Sequence, residues 1–359
     1  MKEHFEAQRL QFRLRSRNMS LFIFILLFTP YISPFSAFAV EINSRAAVVM
    51  EALTGRILYG KNANLKLAPA STTKLMTAMV TLDAMNPSDT AVISERAAAV
   101  SPVKAHFRAG ERVTIETLLE AALIKSANDA AFALSEAAGG TEDRFVELMN
   151  QKAIALGMSD TRFVNSTGLP GEGQFITAYD LARMLRQALK YPLIKETIST
   201  KVSRISTEDG RAIFIKNSNK LLWVDEWMLG GKTGYTRKAR HCFVCAGEQG
   251  NETVIVALLG VPSRERLWKE AEELLEKGFS IASGKEEPVM FFTRSDYKES
   301  VQLAAYRVKS SETSEATDKK IKKNSGNKNG RGKLGKRVKK HKPKMNAVAE
   351  DRGTSENKS

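Results

Sequence analysis

Residues 68–78 read Ala-Pro-Ala-Ser-Thr-Thr-Lys-Leu-Met-Thr-Ala and carry a candidate nucleophile and a candidate base. Pro69 fixes the approach of the chain, and the apolar residues that follow at helical spacing predict a helix over 71–83. Because residues three apart share one face of a helix, we expect the Lys74 amine beside the Ser71 hydroxyl. A lysine whose pKa is lowered by burial or by a nearby cation can take the proton that makes serine nucleophilic. Alone the pattern is weak, because most Ser-x-x-Lys sequences are helix caps.

Two more short motifs follow along the chain. Residues 126–128 read Ser-Ala-Asn, where Ser126 could relay a proton and the Asn128 amide could hold a substrate carbonyl or the first motif's lysine. Residues 232–234 read Lys-Thr-Gly before a predicted strand pair, and they offer a cation and a hydroxyl to a carboxylate. Each motif alone is a common cap or turn pattern. The combination of all three motifs in this order is far more specific than any one of them. The first motif opens a helix, the second lies among helices and the third lies in a sheet.

The pattern of elements around the motifs predicts the fold class. Strands are predicted first and last, and helices fill the middle of the body. The predicted segments are a hairpin over 45–60, helices over 71–83, 114–124, 127–138, 142–156 and 177–189, hairpins over 201–216 and 241–260, and a helix over 264–277 that ends at Gly278. This order favours an α/β (α+β) fold. Its antiparallel sheet is flanked by helices and receives an inserted helical lobe.

The N-terminus is typical of an export signal. Residues 9–17 contain four arginines, residues 21–28 are an unbroken apolar run, and residues 37–39 read Ala-Phe-Ala. This order of a basic, an apolar and a small-residue segment predicts a signal peptide over 1–39. An uncleaved membrane anchor is the alternative, and either reading delivers the body outside the cytoplasm.

The positive charge of the chain is concentrated at its ends. The formal net charge is +15, and residues 310–359 hold fifteen Lys/Arg against six Asp/Glu. We expect this segment to be a disordered basic tail. It could bind an anionic membrane or cell-wall polymer, or remain solvated without a specific partner. The charge does not argue for nucleic acid, because the body itself is nearly neutral. The predicted plan is a catalytic body over 40–285, then a short strand-containing remnant or linker over 286–309.

Cysteine and histidine usage excludes several classes of protein. Two cysteines in 359 residues rule out a disulfide scaffold and a cysteine-based zinc site. Cys242 and Cys245 lie three apart on a predicted strand, so their side chains are expected on opposite faces and buried as small apolar groups. His106 and His241 are expected to be structural or exposed.

The three motifs and their surroundings resemble the low-molecular-mass penicillin-binding proteins that are serine D-alanyl-D-alanine carboxypeptidases. The likeness covers roughly residues 42–280 and implies a fold of the β-lactamase/transpeptidase type. Besides the three motifs it includes the segments Glu-Ala-Leu-Thr-Gly-Arg-Ile-Leu-Tyr at 51–59, Lys-Ser-Ala-Asn-Asp-Ala-Ala at 125–131 and Thr-Ala-Tyr-Asp-Leu-Ala at 177–182.

The resemblance implies a role for each motif residue. Ser71 would be the acylated nucleophile, Lys74 the base that activates it, and Ser126 a proton shuttle. The substrate-binding residues that it implies are Asn128, Lys232, Thr233, Gly234 and Tyr235. The oxyanion hole would be formed by the backbone amides of the nucleophile and of Tyr235. Neither a metal nor an organic cofactor is implied.

The implied function is removal of the terminal D-alanine from peptidoglycan stem pentapeptides through an acyl-enzyme, with β-lactams as inhibitors. Such an enzyme would contribute to cell-wall synthesis and cell shape from the periplasm or the outer face of the cytoplasmic membrane. A D,D-endopeptidase that cuts crosslinks and a non-catalytic wall-binding protein on the same fold remain alternatives. A class A β-lactamase is disfavoured because no Glu-x-x-x-Asn deacylation segment is found.

Three departures from the family pattern stand out. Arg240 occupies a position where glycine is expected, which could alter the rim of the site. Thr167 replaces a frequent histidine and is given no catalytic role. Longer members carry a second, β-rich domain and then an amphipathic anchor helix. Only about 30 residues separate Gly278 from the basic tail, so we expect that domain to be absent or vestigial, and we hypothesise that the tail replaces the anchor.

Overall fold

The structure is a computed structural model that describes residues 42–291. Its strands are β1 (Ala46–Glu51), β2 (Ile57–Lys61), β3 (Thr90–Val92), β4 (Arg112–Thr114), β5 (Val202–Ser206), β6 (Ala212–Lys216), β7 (Met228–Thr236), β8 (Arg240–Gln249), β9 (Glu252–Val261) and β10 (Val289–Phe291). Its helices are α1 (Lys74–Ala84), α2 (Glu95–Ala99), α3 (Ile115–Ile124), α4 (Asn128–Gly139), α5 (Glu142–Ala155), α6 (Ala178–Ala188), α7 (Pro192–Ser199) and α8 (Arg264–Ala282). Two 3₁₀ turns span Ala70–Thr73 and Leu221–Trp223. The predicted signal peptide and basic tail lie outside the described residues.

Side-chain caps fix where four of the predicted helices begin. Thr114, Thr141, Thr177 and Ser263 each precede a helix and accept a hydrogen bond from the backbone N–H three residues later. Such a cap satisfies an amide that the helix itself leaves without a partner. These local signals explain why the predicted starts of the helices agree with the structure to within a few residues.

The main sheet has six strands in the order β10-β2-β1-β9-β8-β7. It is antiparallel, as predicted, except that β10 runs parallel to β2. Strand β7 lies at the edge, where one side of its backbone stays open to a ligand. The predicted hairpin over 201–216 forms, but β5 and β6 make a separate two-stranded sheet.

The two faces of the main sheet bury different partners. One face packs against α6 and the helical lobe, which inserts between β2 and β7 and contains α1 to α5. The other face packs against α8. The alternation along β8 separates Cys242 from Cys245, and both thiols are free and buried in different core clusters, as predicted.

The predicted end of the last helix at Gly278 is wrong. Helix α8 continues through Gly278 to Ala282. A Cβ at position 278 would lie 2.5 Å from Val254 Cγ1 and 2.7 Å from Val49 Cγ1. The glycine is therefore required by the close approach of the helix to the sheet, which is a tertiary requirement that resembles a C-cap in the sequence.

Within residues 42–291, none of the helices has the length and apolar character needed to span a bilayer.

Candidate active site

The first motif lies at the junction between the 3₁₀ turn and α1. The turn carries Ser71, and α1 begins at Lys74. Ala70 has a φ of +48°, a left-handed conformation that costs a non-glycine residue energy. Gly168 packs against this turn so closely that a Cβ there would lie 1.9 Å from the Ala70 oxygen. The nucleophile candidate is thus held on a strained and tightly supported turn.

The Lys74 side chain is fully buried, which is rare for lysine. Its Nζ lies 3.3 Å from Ser71 Oγ and donates hydrogen bonds to Asn128 Oδ1 and to the Thr167 carbonyl, each at 2.6 Å. Burial, together with the nearby Lys232 cation, holds the pKa of Lys74 well below its usual value, and the Asp129 carboxylate opposes this shift. A buried amine with a depressed pKa is suited to accept a proton.

The second motif connects α3 to α4. Ser126 adopts a φ of +66°, and its Oγ lies 2.8 Å from Lys232 Nζ. Asn128 is the first residue of α4, and its Nδ2 donates to the Pro102 carbonyl. The amide is therefore oriented from both ends, by Lys74 on its oxygen and by a loop carbonyl on its nitrogen.

The third motif lies on the edge strand β7. Lys232 is buried, and its Nζ bonds to Ser126 Oγ and to the Thr233 carbonyl, at 2.8 and 3.1 Å. Burial lowers the pKa of Lys232 to about 7. A Cβ at Gly234 would lie 2.8 Å from the Ser71 nitrogen, so only glycine lets the strand pass this close to the nucleophile.

Tyr235 and Arg240 lie at the outer end of this strand pair. Tyr235 is 58% exposed and stacks on His241 with 4.5 Å between ring centroids. Arg240 has a φ of +58° and still pairs with Thr236, so the register of β7 and β8 is kept. The left-handed backbone at position 240 explains why glycine was expected there. Arginine adopts the same conformation at an energetic cost.

The structure brings the predicted side chains into two adjoining hydrogen-bonded groups. Ser71, Lys74 and Asn128 form the first group, and Ser126 and Lys232 form the second, in which Lys232 also donates to the backbone carbonyl of Thr233. The two lysines are close enough for the charge of one to lower the pKa of the other.

Three contributors were not predicted from the sequence. The Thr167 residue takes part through its carbonyl, which side-chain patterns cannot reveal. The Ser218 hydroxyl lies 2.5 Å from Thr233 Oγ1, but a serine in a polar stretch gives no signal. The Asp129 carboxylate is buried and accepts from the amides of residues 105–107, tying a loop to α4. Among residues 42–291, no cluster of three His, Cys, Asp or Glu side chains is placed to hold a metal ion.

Comparison with known families identifies the same region. Residues 33–263 match the family model described as D-alanyl-D-alanine carboxypeptidase. The chain is 33% identical over 272 residues to D-alanyl-D-alanine carboxypeptidase DacF of Bacillus subtilis, a match that covers 74% of this chain and 68% of the relative. It is 37% identical over 209 residues to a D-alanyl-D-alanine endopeptidase of Pseudomonas aeruginosa, covering 57% and 67% respectively.

Solved structures support the same comparison. A D-alanyl-D-alanine carboxypeptidase from Mycobacterium tuberculosis matches with a TM-score of 0.64 and 30% identity, over 66% of this chain and 91% of that one. The Streptomyces K15 DD-transpeptidase matches with a TM-score of 0.63 and 29% identity, over 67% and 98%.

Proposed function

The chain belongs to the D-alanyl-D-alanine carboxypeptidase family, and we propose that it removes the terminal D-alanine of peptidoglycan stem pentapeptides through an acyl-enzyme on Ser71. The observation that carries this proposal is the placement of Lys74. Its buried amine, with a lowered pKa, lies 3.3 Å from the Ser71 hydroxyl. A neutral amine has two N–H donors and one lone pair. The donors match Asn128 and Thr167, which leaves the lone pair for the serine proton.

Acylation begins when Lys74 takes the Ser71 proton and Oγ attacks the carbonyl carbon of the penultimate D-alanine. The peptide C–N bond then breaks. Ser126 passes to the leaving amine the proton that Lys74 took from Ser71, which returns Lys74 to its neutral form. The Ser126 oxygen already accepts from Lys232, so its own hydroxyl proton is available for donation.

Negative charge that develops on the substrate carbonyl oxygen needs N–H donors. The close passage of β7 past the nucleophile supports the backbone amides of Ser71 and Tyr235 in this role, because position 234 has no room for a side chain. In deacylation, water gives a proton to Lys74 and its oxygen to the acyl carbon, and Ser71 Oγ leaves with a proton.

Recognition of the substrate's terminal carboxylate is assigned to Lys232 and Thr233. Burial of Lys232 penalises its charged form, and a bound carboxylate would favour that form again. The Ser218 hydroxyl orients the Thr233 hydroxyl from the other side. A β-lactam bears a carboxylate in the corresponding place and would acylate the same serine.

Intact mass after brief incubation with a penicillin tests the nucleophile. We expect the wild-type chain to gain one penicillin mass and the Ser71→Ala chain to gain none, while Ser218→Ala still acylates. An adduct on Ser71→Ala would contradict the assignment. Release of D-alanine from a soluble pentapeptide then tests the carboxypeptidase reaction itself.

A D,D-endopeptidase is the second candidate, because a relative with that name is 37% identical to this chain. The chemistry at the serine is the same in both reactions. Incubation with a purified crosslinked muropeptide dimer separates them, since an endopeptidase yields monomers and a carboxypeptidase shortens only free pentapeptide ends.

Export and attachment belong to the same proposal. The signal over 1–39 would deliver the enzyme to the periplasm or the outer face of the membrane, and the tail over 310–359 would hold it at an anionic membrane or wall polymer. Cell fractionation after deletion of 310–359 tests the tail, and an unchanged distribution would contradict its role.

A further inference from the structure

The β5–β6 hairpin exposes an apolar and cationic outer face. Val202 is 63% exposed and Phe214 is 76% exposed. They alternate on this face with Arg204 and Lys216, since Val202 pairs with Lys216 and Arg204 with Phe214 across the hairpin. We call these four residues the hairpin face. The inner face is different, because Ile205 and Ile215 are buried in the core shared with the lobe.

The two cations of the hairpin face are positioned by aromatic rings. The Arg204 guanidinium lies 5.8 Å from the centre of the Phe214 ring, and Lys216 Nζ lies 5.2 Å from the ring of Trp223. Neither cation forms an ion pair with an acid anywhere in residues 42–291. A ring restrains a cation without neutralising it, so their N–H donors remain available to an external carboxylate.

The hairpin face adjoins the substrate end of the active site. The chain leaves β6 at Lys216, and two residues later Ser218 contacts the Thr233 hydroxyl. Two residues span at most about 7 Å. The strand that carries Lys216 is therefore joined directly to the segment that contacts the proposed carboxylate-binding residue.

We propose that the hairpin face is an exosite for polymeric peptidoglycan, which extends the proposed function from one stem peptide to its neighbours on the wall. Carboxylates of neighbouring stem peptides pair with Arg204 and Lys216. Apolar faces of the sugar rings and peptide methyl groups pack on Phe214. The soluble pentapeptide has neither a neighbouring stem peptide nor a glycan strand to make these contacts, so the exosite acts only on the polymer.

An anionic bilayer fits the same surface less well. Asp209 stands at the tip of the hairpin, and a hydrogen bond from the Thr207 side chain lowers the pKa of its carboxyl, so it is ionised near neutral pH. An anionic surface approached by the tip would be repelled by this charge. A polymer strand can contact the hairpin face alone and avoid the tip.

The test is sedimentation of the full chain with purified insoluble peptidoglycan. The face variant is Phe214→Ser with Lys216→Glu. The matched control is Ile154→Ser with Lys269→Glu, which removes one exposed apolar group and reverses one exposed cation elsewhere. We expect the Kd for peptidoglycan to rise at least fivefold in the face variant and to stay within twofold in the control. Release of D-alanine from soluble pentapeptide should stay within twofold in both.

Equal sedimentation of the face variant and the control would overturn the exosite while leaving the active site intact. Failure of the wild-type chain to act on soluble pentapeptide would instead overturn the proposed function. Loss of binding to phosphatidylglycerol vesicles, with unchanged binding to peptidoglycan, would assign the surface to lipid and also overturn the proposal. If the double variant does not fold, Arg204→Glu alone serves as the second variant, with the same expected rise in Kd.

Discussion

The two faces of the main sheet are formed by the same strands but bury different kinds of side chain. The face toward α8 is covered by apolar side chains, and helix and strands approach until only glycine fits at 278. On the lobe side, Lys74 and Lys232 are fully buried. Burial of an amine opposes its charged form, whereas burial of an aliphatic chain stabilises the fold. The lobe side therefore loses stability by burying the two lysines of the candidate active site, a cost that the face toward α8 avoids.

Four of the six non-glycine residues with positive φ in residues 42–291 lie in or beside the motifs on the lobe side. Ala70 and Ser126 carry positive φ angles within the motifs, and Val103 and His106 carry them in the loop that bonds to α4. Such conformations persist only where the surroundings impose them, and they gather at functional sites. The packing of Gly168 against the 3₁₀ turn is one such constraint.

Replacing Lys74 with methionine, on the lobe side, should have the largest effect, and this effect should fall on activity rather than on stability. We expect kcat/KM on pentapeptide to fall by about 10³-fold or more, because the proposed general base is lost. The free energy of unfolding should change by less than ~2 kcal/mol, since relief of a buried amine offsets two acceptors left without a donor. Chemical denaturation and D-alanine release measure the two effects.

Leu75→Ala is the control on the same helix. Leu75 is fully buried in the apolar core, so its truncation should cost ~2–5 kcal/mol and leave the penicillin adduct on the folded chain. If Lys74→Met were the more destabilising of the two, the lysine would be serving the fold rather than the reaction.

Gly278→Val, on the opposite face, should lower the stability of the fold and leave the reaction at Ser71 unchanged. The new side chain would overlap Val254 and Val49, so we expect a loss of about 3 kcal/mol in unfolding free energy. Acylation of the folded fraction by penicillin should be unchanged. Glu272→Val, an exposed change on the same helix, is the control for β-branching. Equal stability of the two variants would contradict the close packing inferred at 278.

The sequence predicts best the features that depend only on residues close together in the chain. The first hairpin, the helix after Ser71 and the capped helix starts follow from turn residues, apolar spacing and Ser/Thr caps. The family resemblance then supplied the order and roles of the three motifs. The use of the Thr167 carbonyl and of glycine at 278 depends on contacts between distant segments, and neither has a local signature. The hairpin of β5 and β6 was predicted, but its separation from the main sheet is a property of tertiary packing.

A smaller effect should appear in the pH dependence of substrate recognition. Burial lowers the pKa of Lys232 to about 7, so the cation that would hold the carboxylate is lost as the pH rises above that value. We expect kcat/KM for the free-acid pentapeptide, relative to its C-terminal methylamide, to fall about fivefold from pH 7 to pH 8. The ratio cancels changes in the general base, which both substrates share. A ratio that is constant across this range would exclude Lys232 as the carboxylate partner.

The smallest effect is expected outside both faces, at the β7–β8 turn. Arg240 is exposed and has a φ of +58°, so glycine should relieve the left-handed backbone and raise the free energy of unfolding by about 0.5–1 kcal/mol. Arg237→Gly removes the same charge from the same turn, where φ is not positive, and should destabilise by a similar amount through chain entropy. Scanning calorimetry should therefore separate the two variants by roughly 2–6 °C. If both substitutions lower the melting temperature, the Arg240 side chain stabilises the rim by more than its backbone conformation costs, and the departure from glycine would have a role of its own beside Tyr235.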